Sequence, residues 1–333
     1  MKTLVTGGAG FIGSHVAQNL FEMGHEVVVL DDLSGGFREN ISNGCKFIKG
    51  DICDVELVEE LFKKENFEIV YHLAAYAAEG LSHFIRRFNY TNNLLGSVNL
   101  INASIKTNVK RFVFTSSIAV YGKNQLPMSE ELAPFPEDPY GIAKLAIEQD
   151  LKSAFDMFGL EYVIFRPHNV YGERQNIGDP YRNVVGIFMN CILQDLPLPI
   201  FGDGSQTRAF SYIGDVAPTI AQSGFEQKAK NEIFNIGADQ PISVLALAKH
   251  ICSSLGYKNN FDFLPARNEV LHAFSTHNKV NGVFKNTKNT SLEEGINCMS
   301  KWVKDIGTRT SKRFENIEIY KNIPEIWGDI KKN

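Results

Sequence analysis

Tyr140 and Lys144 stand four residues apart in "DPYGIAKLAIEQ", a stretch that opens with Pro139 and continues in good helix formers. Proline suits a first helical turn, and residues four apart share a helix face, so the phenol and the ammonium are predicted to lie side by side. A neighbouring ammonium favours phenolate over phenol, which makes Tyr140 a candidate base near neutral pH. Upstream, "FTSSIAVYG" ends an apolar run with Ser116 and Ser117 and follows them with Ile118 and Ala119. Ser117 is placed to hold the same substrate hydroxyl through a second hydrogen bond, while Ser116 is assigned to structure. A YxxxK spacing by itself usually marks two surface side chains. Its position, one helix after a strand ending in serines, is what makes this one specific.

"VTGGAGFIG" places Gly7, Gly10 and Gly13 in a GxxGxxG spacing directly after a first strand and at the start of a helix. Such glycines permit a tight turn and close backbone approach, and the helix start, through Phe11, Ile12 and Gly13, offers N–H groups to a pyrophosphate. The second strand, "EVVVLD", ends in Asp31, where a carboxylate would take both ribose hydroxyls and repel a 2′-phosphate; NAD is therefore expected rather than NADP. The alternative for Asp31 is a bond to a nearby backbone group. "KGDI" sets Asp51 and Ile52 at the end of the third strand, to edge and pack an adenine, although Asp is common at strand ends. A nicotinamide cation would add to the positive field on Tyr140.

The elements that must position these groups are legible as an alternation. From Lys2 to about Arg166, "TLVTG", "EVVVLD", "CKFIKGD", "IVYHLAA", "KRFVFTSS" and "EYVIFRP" read as strands separated by helical patterns. Strands that are apolar throughout imply burial on both faces, so the expected fold is α/β, a Rossmann-type doubly wound parallel sheet. Beyond Arg166 the regularity fades into Pro- and Gly-rich stretches such as "DLPLPIFGDG". The expected organisation is an NAD-binding domain over 1–172 with a returning segment at about 208–236, and a smaller α/β substrate-binding domain over 173–207 and 237–333. "SLEEGI" reads as a helix start capped by Ser291, with Glu294 three residues on.

The 333 residues suffice for a large core without staples, and a net charge of −4, from 34 basic and 38 acidic residues, leaves no footprint for nucleic acid or an anionic membrane. Five cysteines without a CxxC pair favour reduced thiols over disulfides or a metal site. No stretch approaches the ~18 uninterrupted apolar residues of a membrane span. A soluble, cytoplasmic protein with small-molecule partners is expected.

The chain resembles the extended short-chain dehydrogenase/reductase superfamily, and within it the nucleotide-sugar epimerases and dehydratases, most closely the UDP-sugar 4-epimerases. The resemblance runs over nearly the whole length, through "TGGAGFIG", "TSSIAVYG", "YGIAK", "NNLLGSVNLINA", "FRPHNVYGERQ", "IFGDGSQTRAFSYIGDVA" and "SLEEGI". It implies that Ser117, Tyr140 and Lys144 are a catalytic triad, that Leu73, Ala74 and Ala75 border the NAD, and that Asn93 supports the active-site helix from the cofactor side. It further implies substrate contacts at Asn169, Asn183, Val184, Ile200 and Phe201, and a diphosphate clamp of Arg208 and Arg267, although Asn268 and Glu269 replace the usual Pro-Gly after the second arginine. A homodimer is implied through helices at about 89–104 and 140–158, which carry apolar residues on more than one face.

The chain also departs from its relatives. The family's 4,6-dehydratases carry Asp and then Glu where this chain has Ile118 and Ala119, so transient oxidation at the sugar C4 without loss of water is expected: a nucleotide-sugar 4-epimerase using tightly held NAD. A nucleotide-sugar 4-dehydrogenase or a C3/C5 epimerase using the same residues is the near alternative, and a non-catalytic NAD-binding protein the distant one. The stretch "HLAAYAAEGLSHFIRRFNY" is unusual: Glu79, Ser82 and His83 can meet sugar hydroxyls, and Arg86 and Arg87 either meet a carboxylated sugar or lie in water. His168 is open between a substrate contact and a packed histidine.

Overall fold

The computed structural model describes residues 1–266, 270–285, 289–324 and 327. The six anticipated strands form as β1 (Lys2–Thr6), β2 (Glu26–Asp31), β3 (Lys46–Lys49), β4 (Ile69–His72), β5 (Arg111–Thr115) and β6 (Glu161–Pro167). They lie in the order β3-β2-β1-β4-β5-β6, and a seventh strand, Glu232–Ile236, joins beside β6; every pairing is parallel.

Alternate side chains enter different cores. Val27 and Val29 face one apolar cluster, Val28 and Leu30 the other, and the same alternation holds for Val113 between Phe112 and Phe114. The helices Phe11–Glu22 and Ile213–Ser223 cover the first face through Val16, Leu20 and Ile220. Val55–Glu65, Gly96–Lys106 and Pro139–Phe158 cover the second through Phe62, Leu100 and Leu151. Each such side chain contributes roughly 1.5–3 kcal/mol when fully buried, which is why the strands are apolar throughout. The sheet is thus the doubly wound Rossmann type, and its order reverses between β1 and β4, where such folds open a crevice at the carboxyl ends of the strands.

The remainder of the chain builds a second lobe with its own core, in which Phe188, Leu247, Met299 and Val303 meet from the helices Val184–Leu193, Val244–Leu255 and Leu292–Ile306. Ser291 caps the last of these, its Oγ accepting the Glu294 N–H at 3.2 Å. The stretch 89–104 is not one regular helix: a π-helix, Tyr90–Leu95, precedes Gly96–Lys106. No helix among the described residues is long and apolar enough to cross a membrane.

Candidate active site

A cleft of about 1550 Å³ crosses the carboxyl ends of the strands and continues into the second lobe. Gly7 follows β1, Asp31 ends β2, Asp51 follows β3, Leu73, Ala74 and Ala75 follow β4, Ser116 and Ser117 follow β5, and Pro167 ends β6; all border this cleft.

The glycine loop is shaped by close approach. Gly7 has φ +70°, and a methyl group on it would lie 2.7 Å from the Ala74 nitrogen; one on Gly13 would lie 2.1 Å from the Gly7 carbonyl oxygen. Gly10 donates its N–H to that carbonyl at 3.1 Å. The helix that begins at Phe11 has no side-chain cap and no acidic residue in its first turn, and Phe11, Ile12 and Gly13 line the cleft. Uncapped N–H groups and a bare positive helix end suit a pyrophosphate. Asp31 makes the backbone bonds that were the alternative reading of it. Its carboxylate accepts the N–H of Ala9 at 3.0 Å and of Leu33 at 2.8 Å, fixing the loop, and it borders the cleft. Burial pushes its carboxyl upward against those hydrogen bonds. Asp51 accepts the Cys53 N–H at 2.8 Å, and Ile52 packs into the core beneath with one side on the cleft. These donors and carboxylates fit NAD.

Ser117, Tyr140 and Lys144 converge at the centre. Ser117 starts a turn, Ile118–Tyr121, where its Oγ accepts the Ala119 N–H at 3.1 Å. Asp138 caps the helix Pro139–Phe158 by accepting the Gly141 N–H at 2.9 Å, which aims Tyr140 and Lys144 from its first turns. Lys144 Nζ donates to the Thr115 carbonyl at 2.8 Å and lies 5.7 Å from the Tyr140 ring centre. Burial pulls its pKa down to about 7, opposed by the Glu148 carboxylate. Burial also drives the Tyr140 phenol upward; the Ser117 hydroxyl and, more weakly, Arg182 favour its ionisation, while Glu79 and Asp138 oppose it. For both groups burial is the dominant influence and opposes the charged form.

Asn93 lies behind the cleft wall. Its amide accepts the Tyr76 N–H at 2.7 Å and donates to Asn89 at 2.8 Å, and Asn89 donates to the Pro139 carbonyl at 2.9 Å, so it braces the active-site helix through one intermediary. On the second lobe, Asn169, Asn183, Phe201 and Arg208 border the cleft, whereas Val184 and Ile200 do not. Arg208 reaches across to the carbonyls of Val270 at 2.5 Å and Leu271 at 2.9 Å. Arg267, Asn268 and Glu269 lie outside the described residues.

The unusual loop after β4 divides by position. Glu79 and His83 border the cleft. Ser82 is buried, accepts the Tyr140 N–H at 3.3 Å and donates to the Glu79 carbonyl at 2.6 Å, so it holds the helix start. Arg86 and Arg87 are exposed and away from the cleft. His168 is a packed histidine: fully buried, it donates Nδ1–H to the Ala209 carbonyl at 3.0 Å, and its Nε2 meets the His277 Nε2 at 3.0 Å.

Sequence reasoning missed the support beneath the site. Ser116 donates to Glu148 at 2.5 Å, and Glu148 is forked by Arg166, which also donates to the Tyr121 hydroxyl at 2.8 Å. The available signal was spacing, since Glu148 continues the Tyr140–Lys144 face by four more residues.

Residues 3–237 match the family model described as NAD dependent epimerase/dehydratase family. The chain belongs to the NAD-dependent epimerase/dehydratase family. It is 36% identical over 307 residues to a putative UDP-glucose 4-epimerase of Methanocaldococcus jannaschii, covering 91% of this chain and 98% of the relative. Among solved structures, the UDP-glucose 4-epimerase of Thermotoga maritima with UDP-glucose superposes with a TM-score of 0.87 at 36% identity, covering 92% of this chain and 99% of that one. The UDP-glucose 4-epimerase of Thermus thermophilus in complex with NAD gives 0.86 at 32% identity, covering 91% and 99%. As a member of this NAD-dependent epimerase/dehydratase family the chain is an enzyme, and NAD is its cofactor. Ile118 and Ala119, whose side chains are apolar, also border the cleft.

Proposed function

We propose that this enzyme is a UDP-hexose 4-epimerase working by transient oxidation at the sugar C4. The observation that carries it is the convergence of Ser117, Tyr140 and Lys144 between the glycine loop and the second lobe, beside Ile118 and Ala119. Tyr140 takes the proton of the 4-hydroxyl, and Ser117 hydrogen-bonds the same oxygen and holds it in line. Lys144, with its Nζ held at the Thr115 carbonyl, favours the phenolate form of Tyr140 that accepts this proton. When bound, NAD supplies a reversible hydride acceptor that is regenerated within one cycle. Without a carboxylate at 118 or 119 that turn offers no acid or base for expelling water, so the 4-keto sugar is left to be reduced on its other face.

Asn169 and Asn183 are proposed to hold the sugar and its phosphates, with Arg208 on the diphosphate. Leu95 and Ile142 expose apolar surface on the two helical stretches named for a homodimer contact, which supports that assembly. Five free cysteines suit a reducing cytoplasm. The test is incubation of the purified enzyme with a panel of UDP- and GDP-sugars, following NADH absorbance and the epimer ratio by NMR. Epimer formation without net NADH is expected with a UDP-hexose. NADH accumulating in step with a released keto sugar would instead establish the 4-dehydrogenase.

A further inference from the structure

Residues 309–324 and Trp327, after the last long helix, pack against the loop that follows β4. Glu318 accepts the backbone N–H groups of Arg87 and Phe88 at 2.8 Å each. The N–H groups of Glu318 and Ile319 both reach the Phe84 carbonyl, at 2.9 and 3.1 Å. Ring contacts follow: Phe314 lies 5.4 Å from Tyr76 and 4.8 Å from Phe88, and Trp327 lies 5.5 Å from Tyr181 and 6.3 Å from Phe84. Trp327 is 3% exposed in a small core with Leu81, Ile85 and Ile317, yet it borders the cleft, as does Ile323. A methyl group on Gly80 would lie 3.1 Å from its indole.

The same wall adjoins the reacting end. Glu79 precedes Gly80, and Arg182 lies over the Tyr76 ring at 4.9 Å; both are charges that act on the Tyr140 phenol. Leu81 of that core is followed by Ser82, whose Oγ accepts the Tyr140 N–H at 3.3 Å, so the segment backs the side of the cleft next to the proposed base.

We propose that residues 309–324 together with Trp327 complete the sugar pocket and that Trp327 is a specificity-determining residue, limiting the size of the substituent admitted on the sugar ring. The inference rests on the nucleotide-sugar reading given above. The indole packs against Tyr181 and Phe84 and close to Gly80, so a sugar with an acetamido group in place of a hydroxyl meets a bulky aromatic wall.

The experiment compares kcat/KM for UDP-glucose and UDP-N-acetylglucosamine in the NAD-loaded wild type and Trp327→Ala. The variant is expected to shift the ratio toward the acetamido sugar by roughly tenfold or more. An unchanged ratio in a folded variant overturns the inference. If Trp327→Ala does not fold, Trp302→Phe leaves Trp327 as the sole tryptophan of the two in the chain. Its emission is then expected to change with UDP-glucose but not with UDP, and an emission blind to the sugar, with UDP-glucose binding intact by calorimetry, overturns the inference alone. Absence of binding by any UDP-sugar to the wild type removes the functional reading and this inference with it.

Discussion

Arg166 forks Glu148 beneath the active-site strand, Nε to Oε1 at 3.0 Å and Nη2 to Oε2 at 2.6 Å, with side chains 2% and 0% exposed. Removing one partner strands the other as a buried unpaired charge, at a cost of about 3–5 kcal/mol. Arg166→Met and Glu148→Met are each expected to lose that much in urea unfolding, while the double variant recovers a large part. A single-variant loss below about 1 kcal/mol would show that the pair is not what secures Ser116 and the strand end.

Tyr140→Phe removes the proposed base and keeps the ring that Lys144 flanks. Turnover is expected to fall by roughly 10²–10⁴-fold, with the NAD content of the purified protein unchanged. Near-normal turnover would take the proton-transfer role away from Tyr140.

Lys144 sets a pH dependence of stability. Its pKa is about 7 in the folded chain against the ordinary 10.5 of a lysine, so between those values the unfolded chain holds more protons and stability rises with pH. The penalty is complete below pH 7 and is relieved as the pH approaches 10.5. Lys144→Met is therefore expected to raise Tm at pH 6.5, by about 2 °C or more, with the gain shrinking toward pH 10. Thermal melts showing a pH-independent difference would contradict this origin.

Gly13→Ala places a methyl group 2.1 Å from the Gly7 carbonyl oxygen, in a loop where Gly7 itself leaves no room for a methyl group beside Ala74. The loop cannot keep its shape, so the variant is expected to copurify with far less NAD, read by absorbance after denaturation, and to melt at a lower temperature. Full cofactor retention would show that the loop tolerates displacement.

The sheet was legible because its strands are buried on both faces, so Val27 to Leu30 form an unbroken apolar run whichever core each side chain enters. The placement of the glycine loop, Asp31 and the Tyr140–Lys144 pair was legible for a related reason: each sits at a strand end or in a first helical turn, where local spacing determines direction. Contacts between distant segments carry no local pattern. His168 meets His277 across 109 positions, and Glu318 reaches Arg87 across 231, so neither the packed histidine nor the wall over the β4 loop had a signal in spacing. The direction of the Lys144 shift escaped for another reason: the depth of burial opposes its charge, and depth is set by the whole fold.

The strand Glu232–Ile236 completes the sheet by pairing with β6, register Glu232 to Val163, after the chain has already entered and left the second lobe. The sheet's edge therefore stays open during synthesis until some seventy residues beyond β6 have emerged from the ribosome, and its closure ties down the ends of the segment that carries Asn169, Asn183 and Arg208. A chain cut after β6 would keep the glycine loop and the tyrosine but would leave β6 as an unpaired edge strand, a ready template for aggregation.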